Sequence, residues 1–232
     1  MRDYLLKALE KINLDLDSVV VEKLIEYAEL LYEYNSHTNL TAIRDKEDML
    51  EKHFVDSLLV HKVLPKRTGK AIDIGTGAGF PGMVLAICNK ELEFTLMDSV
   101  GKKTKFLELV KTKLSLDNVI VVNTRAEEYI QGRREEYDMG FCRGVNRLNV
   151  ILEYMLPFIK VGGWFLPQKL EYVDELIEAK NALEILNGKM LEVFEDKLPF
   201  CEDNRVILKI EKILNTPEKY PRRTGVPLKK PL

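Results

Sequence analysis

The chain has little with which to cross-link itself. Cys88, Cys142 and Cys201 are its only cysteines. They are far apart and form no C-x-x-C pair, so neither a zinc knuckle nor a redox pair is indicated, and no metal site is expected. A sparse, odd count fits a reducing compartment. No run of about 18 apolar residues occurs, so no membrane span is expected. Met1-Arg2-Asp3-Tyr4 lacks the apolar stretch of a secretory signal. A cytoplasmic, monomeric protein is the expectation. The chain also lacks a basic excess. Its formal net charge is -2, which argues against a strongly basic nucleic-acid binder.

What is present points to a folded α/β protein. The 232 residues, 46% of them hydrophobic, suffice for one α/β domain with a modest extension. Charge is unevenly spread. Residues 1–65 hold 8 Lys/Arg against 13 Asp/Glu, whereas residues 215–232 hold 5 Lys/Arg against a single Glu. A polyanion should therefore avoid the N-terminal segment and prefer the tail.

Three regions follow from the patterning: a helical extension (1–65), a catalytic domain (66–214) and a basic, Pro-rich tail (215–232). In the first, Leu24, Tyr27, Ala28 and Leu31 share one helix face, Asp45 is a candidate N-cap, and Pro65 should follow a helix end. In the second, strand-like runs alternate with helical stretches: Ala71–Ile74, Phe94–Met97, Val119–Val122, Tyr137–Cys142 and Trp164–Pro167, with helices such as Gly101–Leu114 and Asn149–Ile159. That alternation implies a parallel sheet covered on both faces. Met190–Leu198 and Arg205–Ile213 then read as an antiparallel hairpin at the sheet edge. The tail carries four of the nine prolines and should be extended rather than helical.

The most telling stretch is Ala71-Ile72-Asp73-Ile74-Gly75-Thr76-Gly77-Ala78-Gly79-Phe80-Pro81-Gly82. It reads as a buried strand, a Gly-rich turn and a helix start. Dinucleotide sites show G-x-G-x-x-G with an acid about 20 residues on; here the pattern is D-x-G-x-G-x-G. That variant suits S-adenosylmethionine. Gly75, Gly77 and Gly79 allow close backbone approach, the helix start suits the methionine carboxylate, and Asp73 could face the ammonium. Asp98 ends the second strand and is placed to accept from ribose hydroxyls, or else to cap a helix. Ala126 and Glu127 follow the third strand, over the expected adenine position. Arg143 ends the fourth strand and could contact the cofactor carboxylate or a substrate phosphate.

No dedicated acid/base pair is evident, and no Asn/Asp-Pro-Pro-aromatic signature follows the fourth strand. Cys142 reads as a core residue rather than a nucleophile. Guanine N7 has a lone pair and no proton, so its methylation needs an in-line pose and no base. The catalytic residue is therefore left unassigned, with Arg143 possible. His53 and Asp56 share a helix face, as a packing set or a site. His37 and His61 read as surface or capping residues. In the tail, Lys219, Arg222, Arg223, Lys229 and Lys230 could track RNA phosphates.

Together these motifs resemble the bacterial small-subunit rRNA guanine-N7 methyltransferases, the glucose-inhibited division protein B family. The matching pieces are Asn39-Leu40-Thr41, Lys52-His53-Phe54-Val55-Asp56-Ser57, Asp73 through Gly82, Asp98-Ser99 with Gly101-Lys102-Lys103, Arg125-Ala126-Glu127, Arg143 and the Lys219–Lys230 tail. The resemblance implies a class I S-adenosylmethionine-dependent methyltransferase fold: Rossmann-like, with a mostly parallel seven-stranded sheet. It implies transfer to N7 of one guanine in 16S rRNA near the decoding centre. Cofactor contacts implied are Gly75, Phe80, Ala126, Glu127 and Arg143. Cys142, Gly144 and Pro167-Gln168-Lys169 depart from the family's usual residues. A small-molecule methyltransferase and a non-catalytic ribosome-binding factor are the alternative readings.

Overall fold

The computed structural model describes all 232 residues. Its seven strands are β1 (Gly69–Ile74), β2 (Leu92–Met97), β3 (Val119–Val122), β4 (Tyr137–Arg143), β5 (Ile159–Lys169), β6 (Gly188–Lys197) and β7 (Asn204–Lys212). They form one sheet in the order β3-β2-β1-β4-β5-β7-β6. β1 through β5 are parallel, and β7 runs antiparallel to both β5 and β6. The expected parallel sheet with an antiparallel edge hairpin is the observed one. Strand order reverses between β1 and β4, which opens a crevice beyond their C-terminal ends.

Eleven α-helical segments surround the sheet: α1 (Arg2–Lys11), α2 (Ser18–Thr38), α3 (Lys46–Met49), α4 (Asp56–Lys62), α5 (Gly82–Cys88), α6 (Gly101–Lys113), α7 (Ala126–Tyr129), α8 (Leu148–Met155), α9 (Val173–Glu178), α10 (Lys180–Leu186) and α11 (Val226–Lys229). A π turn, Leu50–Val55, joins α3 to α4. Asp45 caps α3, its carboxylate accepting from Glu47 N and Asp48 N. Leu24, Tyr27, Ala28 and Leu31 of α2 are fully buried, so the predicted face is the one that packs. Burial of a leucine of this kind contributes roughly 1.5–3 kcal/mol. The N-terminal helices share one continuous core with the sheet. Tyr27 stacks on Phe80 at 5.5 Å and meets Phe54 edge-on at 4.9 Å, so the first helices rest directly against the Gly-rich turn.

Three expectations need correction. Strand β5 is longer than Trp164–Pro167, running from Ile159 to Lys169. The β4–β5 register shifts across this stretch, with Gly162 at φ +81° and a Cβ on Gly163 that would meet Asp138 O at 2.7 Å, so the two glycines permit a bulge and close strand contact. The helix expected over Asn149–Ile159 correspondingly ends at Met155, and a 3-10 turn (Leu156–Phe158) leads into β5. The tail is not wholly extended. It contains the single turn α11 with Pro227 at its start, where proline lacks nothing a helix needs.

Candidate functional site

Two cavities meet beyond the C-terminal ends of β1 and β4. The smaller, about 320 Å³, lies beyond β1, β2 and β3 and includes Gly75, Asp98, Lys103, Ala126, Glu127 and Tyr154 in its wall. The larger, about 800 Å³, lies beyond β4, β5 and β7 against the π turn. Gly144 and Val145 belong to both. Gly144 has φ +63° with open space around its Cα, a conformation that favours glycine.

The Gly-rich turn divides its labour. Gly77 has φ +64° and nothing within 4 Å of a would-be Cβ, so it is the open point of the turn. Gly79 is its buried opposite: a Cβ there would run into Tyr27, Met83 and Leu107. A Cβ on Gly75 would meet Val145 at 2.6 Å. The Tyr27 hydroxyl also donates to Ala78 O, tying α2 to the turn.

Asp73 lies beneath the turn rather than on a cavity wall. It is fully buried, accepting from Thr76 Oγ1 at 2.6 Å and Gly82 N at 2.8 Å. Burial pushes its carboxyl up to about 7, against those two hydrogen bonds. A Cβ on Gly82 would meet Asp73 Oδ2 at 2.7 Å, so that glycine brings the helix start onto the acid. Phe80 is likewise internal, 4% exposed, between Tyr27 and the His53 ring, which stacks on it at 4.7 Å.

Asp98 holds the turns that follow β1 and β2 together. Oδ1 accepts from Val100 N at 2.9 Å at the start of α6, while Oδ2 accepts from Gly77 N at 3.0 Å and faces Lys103 Nζ at 3.4 Å. It therefore couples the two loops that line the small cavity. Ala126 opens α7, and Glu127 Oε1 accepts from Gly225 N of the tail at 3.3 Å. Apolar Ile74, Met97, Val100 and Val145 complete the wall. Flat apolar surfaces with carboxylates at the rim suit a purine nucleoside bearing hydroxyls and a positive charge, so the residues present fit S-adenosylmethionine.

Arg143 belongs to the larger cavity. Its guanidinium donates to Asp56 Oδ2 at 2.8 Å, Lys52 O at 3.0 Å and His53 Nδ1 at 2.9 Å, and lies over the Phe80 ring. His53 Nε2 in turn bonds Thr41 Oγ1 at 2.8 Å. Burial and the Arg143 charge hold His53 down to about 3, so it is neutral at pH 7 with both nitrogens engaged. Asp56 pairs with a second arginine, Arg205 of β7, at 3.2 Å, and takes hydrogen bonds from Gln168. His53 comes from the π turn and Asp56 from the first position of α4.

Sequence reasoning missed Arg205, which shows no motif, and left Gln168 as a departure without a role. His61 is another correction. It is 6% exposed rather than a surface residue, because Arg67 and Asn89 supply its hydrogen bonds; burial and Arg67 lower it to about 4. Cys142 is buried, and burial pushes its thiol well up, as a core residue requires. In the tail, Lys219, Arg223, Lys229 and Lys230 are exposed. Arg222 is committed elsewhere: its backbone N and guanidinium both bond Glu153, which is fully buried on α8.

Comparisons with known proteins identify the family and the fold. The family model described as rRNA small subunit methyltransferase G (GidB) matches residues 20–205. The chain is 57% identical over 232 residues to the ribosomal RNA small subunit methyltransferase G of Fusobacterium nucleatum, covering 100% of both chains. It is 42% identical over 234 residues to the protein of the same name from Acetivibrio thermocellus, covering 100% of this chain and 97% of that one. Among solved structures, M. jannaschii TYW2 in complex with AdoMet aligns with a TM-score of 0.55 at 16% identity, covering 68% of this chain and 77% of that chain. A SAM-dependent methyltransferase from Aquifex aeolicus aligns with a TM-score of 0.54 at 16% identity, covering 72% and 93%. These likenesses establish the class I methyltransferase fold.

Proposed function

The chain belongs to the rRNA small subunit methyltransferase G (GidB) family, and from that premise we propose that it transfers a methyl group from S-adenosylmethionine to N7 of one guanine in 16S rRNA near the decoding centre. The observation that carries the reading is the meeting of the two cavities at Gly144 and Val145. The cofactor supplies an electrophilic sulfonium methyl when bound. Gly75, Gly77, Asp98, Ala126 and Glu127 are the residues that would hold it, with Asp98 and Glu127 accepting from its polar groups. Asp73, Gly79 and Phe80 act through the turn, by fixing its shape.

The acceptor side supports a nucleophile without a proton. His53, the one imidazole there, is neutral, and its nitrogens are taken by Arg143 and Thr41. Arg143 is held by three partners and is poor at accepting a proton at any ordinary pH. A lone pair held in line needs neither. The exposed cations Lys219, Arg223, Lys229 and Lys230 are placed to meet RNA phosphate. The division into residues 1–65, 66–214 and 215–232 is kept as a functional one, and the setting is the cytoplasm, as a monomer. No helix is long and apolar enough to cross a membrane.

The test is to incubate the protein with labelled S-adenosylmethionine and small subunits lacking the modification, then map the labelled nucleotide. Label on N7 of a single 16S guanine is expected. Label on another base, or on small metabolites without RNA, would overturn the reading.

A further inference from the structure

The tail is tied down more firmly than a chain end usually is. Tyr220 is buried, and Arg134 donates to its carbonyl at 2.6 Å and to Thr216 O at 2.9 Å. Arg222 then takes over. Its backbone N and Nε donate to Glu153 Oε1 at 2.8 and 2.9 Å, and its Nη2 donates to Lys230 O at 2.8 Å. One guanidinium therefore grips α8 and closes residues 222–230 into a loop, with α11 inside it. Glu153 is fully buried and takes hydrogen bonds from Arg222 alone. A buried ion pair of this kind adds little stability over apolar residues of the same size; what it does here is fix where the chain runs.

The place it fixes is the rim of the smaller cavity. Tyr154, next to Glu153, stands in that cavity's wall together with Arg125 and Glu127. From the loop, Gly225 N reaches Glu127 Oε1 at 3.3 Å, and it is the one donor the protein gives this carboxylate. Gly225 has φ +81°, and nothing lies within 4 Å of a would-be Cβ. Glycine is needed there for the direction of the backbone, not for space. The contact engages one oxygen of Glu127 and leaves Oε2 for a donor in the cavity. A glutamate on the single turn α7 otherwise keeps its rotamer freedom, and ordering it beforehand lowers the cost of binding.

Resting on the function proposed above, we infer that the docked tail completes the cofactor site, with Arg222 and Gly225 as positioning residues. The closed loop presents Gly225 N, which holds Glu127 with its free oxygen toward the donors of the cofactor's adenosine. Both residues act through Glu127 and not on the reacting atoms. Linkage is reciprocal, so a tail that favours S-adenosylmethionine is itself held more firmly when S-adenosylmethionine is bound. Arg223, Lys229 and Lys230 ride on the same loop, so the cations proposed to meet RNA are steadied by the cofactor.

The experiment compares S-adenosylmethionine binding, by calorimetry, in the wild type, in Gly225→Ala and in the double variant Glu153→Met with Arg222→Met. The double variant removes both charges together and strands neither. It should bind about tenfold more weakly, the scale of one lost hydrogen bond to a charged group. Gly225→Ala crowds nothing; it should lose about fivefold through its positive φ and serves if the double variant does not fold. Trypsin gives the reciprocal reading. Saturating S-adenosylmethionine should slow wild-type cleavage after Arg223 by about the factor lost in the double variant, and should give that variant no protection. Unchanged affinity in both variants, or wild-type cleavage that ignores the cofactor, would show that the Arg222–Glu153 pair only staples the tail and would overturn the inference. Tighter binding in the variants would overturn it as well, since the tail would then compete for Glu127. Failure of the wild type to bind S-adenosylmethionine at all would instead sink the function on which this rests.

Discussion

The two cavities are made in opposite ways. The smaller cavity, proposed for the cofactor, is built from short segments, each at the end of its own strand: Gly75 after β1, Asp98 after β2, Ala126-Glu127 after β3. The larger cavity, proposed for the acceptor, is assembled from Lys52, His53 and Asp56 on the π turn and α4, Arg143 on β4, Gln168 on β5 and Arg205 on β7. The first depends on backbone conformations that each stretch adopts locally. The second depends on a single buried carboxylate, Asp56, collecting donors from three separate strands. A cofactor shared across a fold needs only the strand ends; a particular RNA base needs a floor that the whole chain must close.

That contrast can be broken most forcefully at Asp56. Asp56→Ala leaves Arg143 and Arg205 without their shared counter-charge and Gln168 Nε2 without its acceptor. The expected loss is about 3–5 kcal/mol of stability, read as a lowered denaturation midpoint. A change under 1 kcal/mol would mean the cluster does not hold the two halves together.

The glycine turn offers a finer split. Gly79→Ala meets Tyr27, Met83 and Leu107 at φ +106° and should cost roughly 2–4 kcal/mol of stability. Gly77→Ala meets nothing and should cost about 1 kcal/mol through its positive φ, while weakening S-adenosylmethionine binding in calorimetry. If the two variants lose stability equally, the division of the turn into a packed and an open glycine is wrong.

Asp98→Ala should weaken cofactor binding by roughly 1–3 kcal/mol. Replacing Arg223, Lys229 and Lys230 together by alanine should leave that affinity alone and lower RNA affinity with a shallower salt dependence. Arg222 is left out because its loss would strand buried Glu153. Equal effects of both changes on calorimetric cofactor affinity would erase the distinction between cofactor and RNA residues.

The smallest effect is on pH. His53 sits near 3 when folded and near 6.5 when unfolded. Between those values the unfolded chain binds more protons, so stability falls as pH drops below 6.5. Asp73 has the opposite sign. Its folded value, about 7, exceeds the unfolded one, so its contribution is lost as pH rises from about 4 through 7. His53→Gln should flatten the acid loss by roughly 1–2 kcal/mol, allowing for partial exposure of the ring. Denaturation curves at pH 4.5 and 7 check this; an unchanged slope would place His53 outside the packed cluster.

The sequence by itself determined the sheet, its hairpin, the capped helices and the cofactor loops. Those depend on spacing over a few residues: alternating runs, an Asp45 cap, glycines where φ turns positive. Asp98 and Ala126-Glu127 were legible because a strand end dictates where its next side chain goes. Asp73, Phe80 and Gly79 were legible as members of the motif but not in their roles, since only packing against α2 and α5 shows that they brace the turn from within. The π turn, the Asp56–Arg143–Arg205 cluster, the orientation of Gln168 and the capture of Arg222 by Glu153 were decided by tertiary structure alone. Apart from the π turn, each joins residues 69 to 149 positions apart in sequence, and what selects the partner is the scarcity of water where they meet. A buried charge or amide must find its counterpart wherever the fold brings one, and no local pattern records that choice.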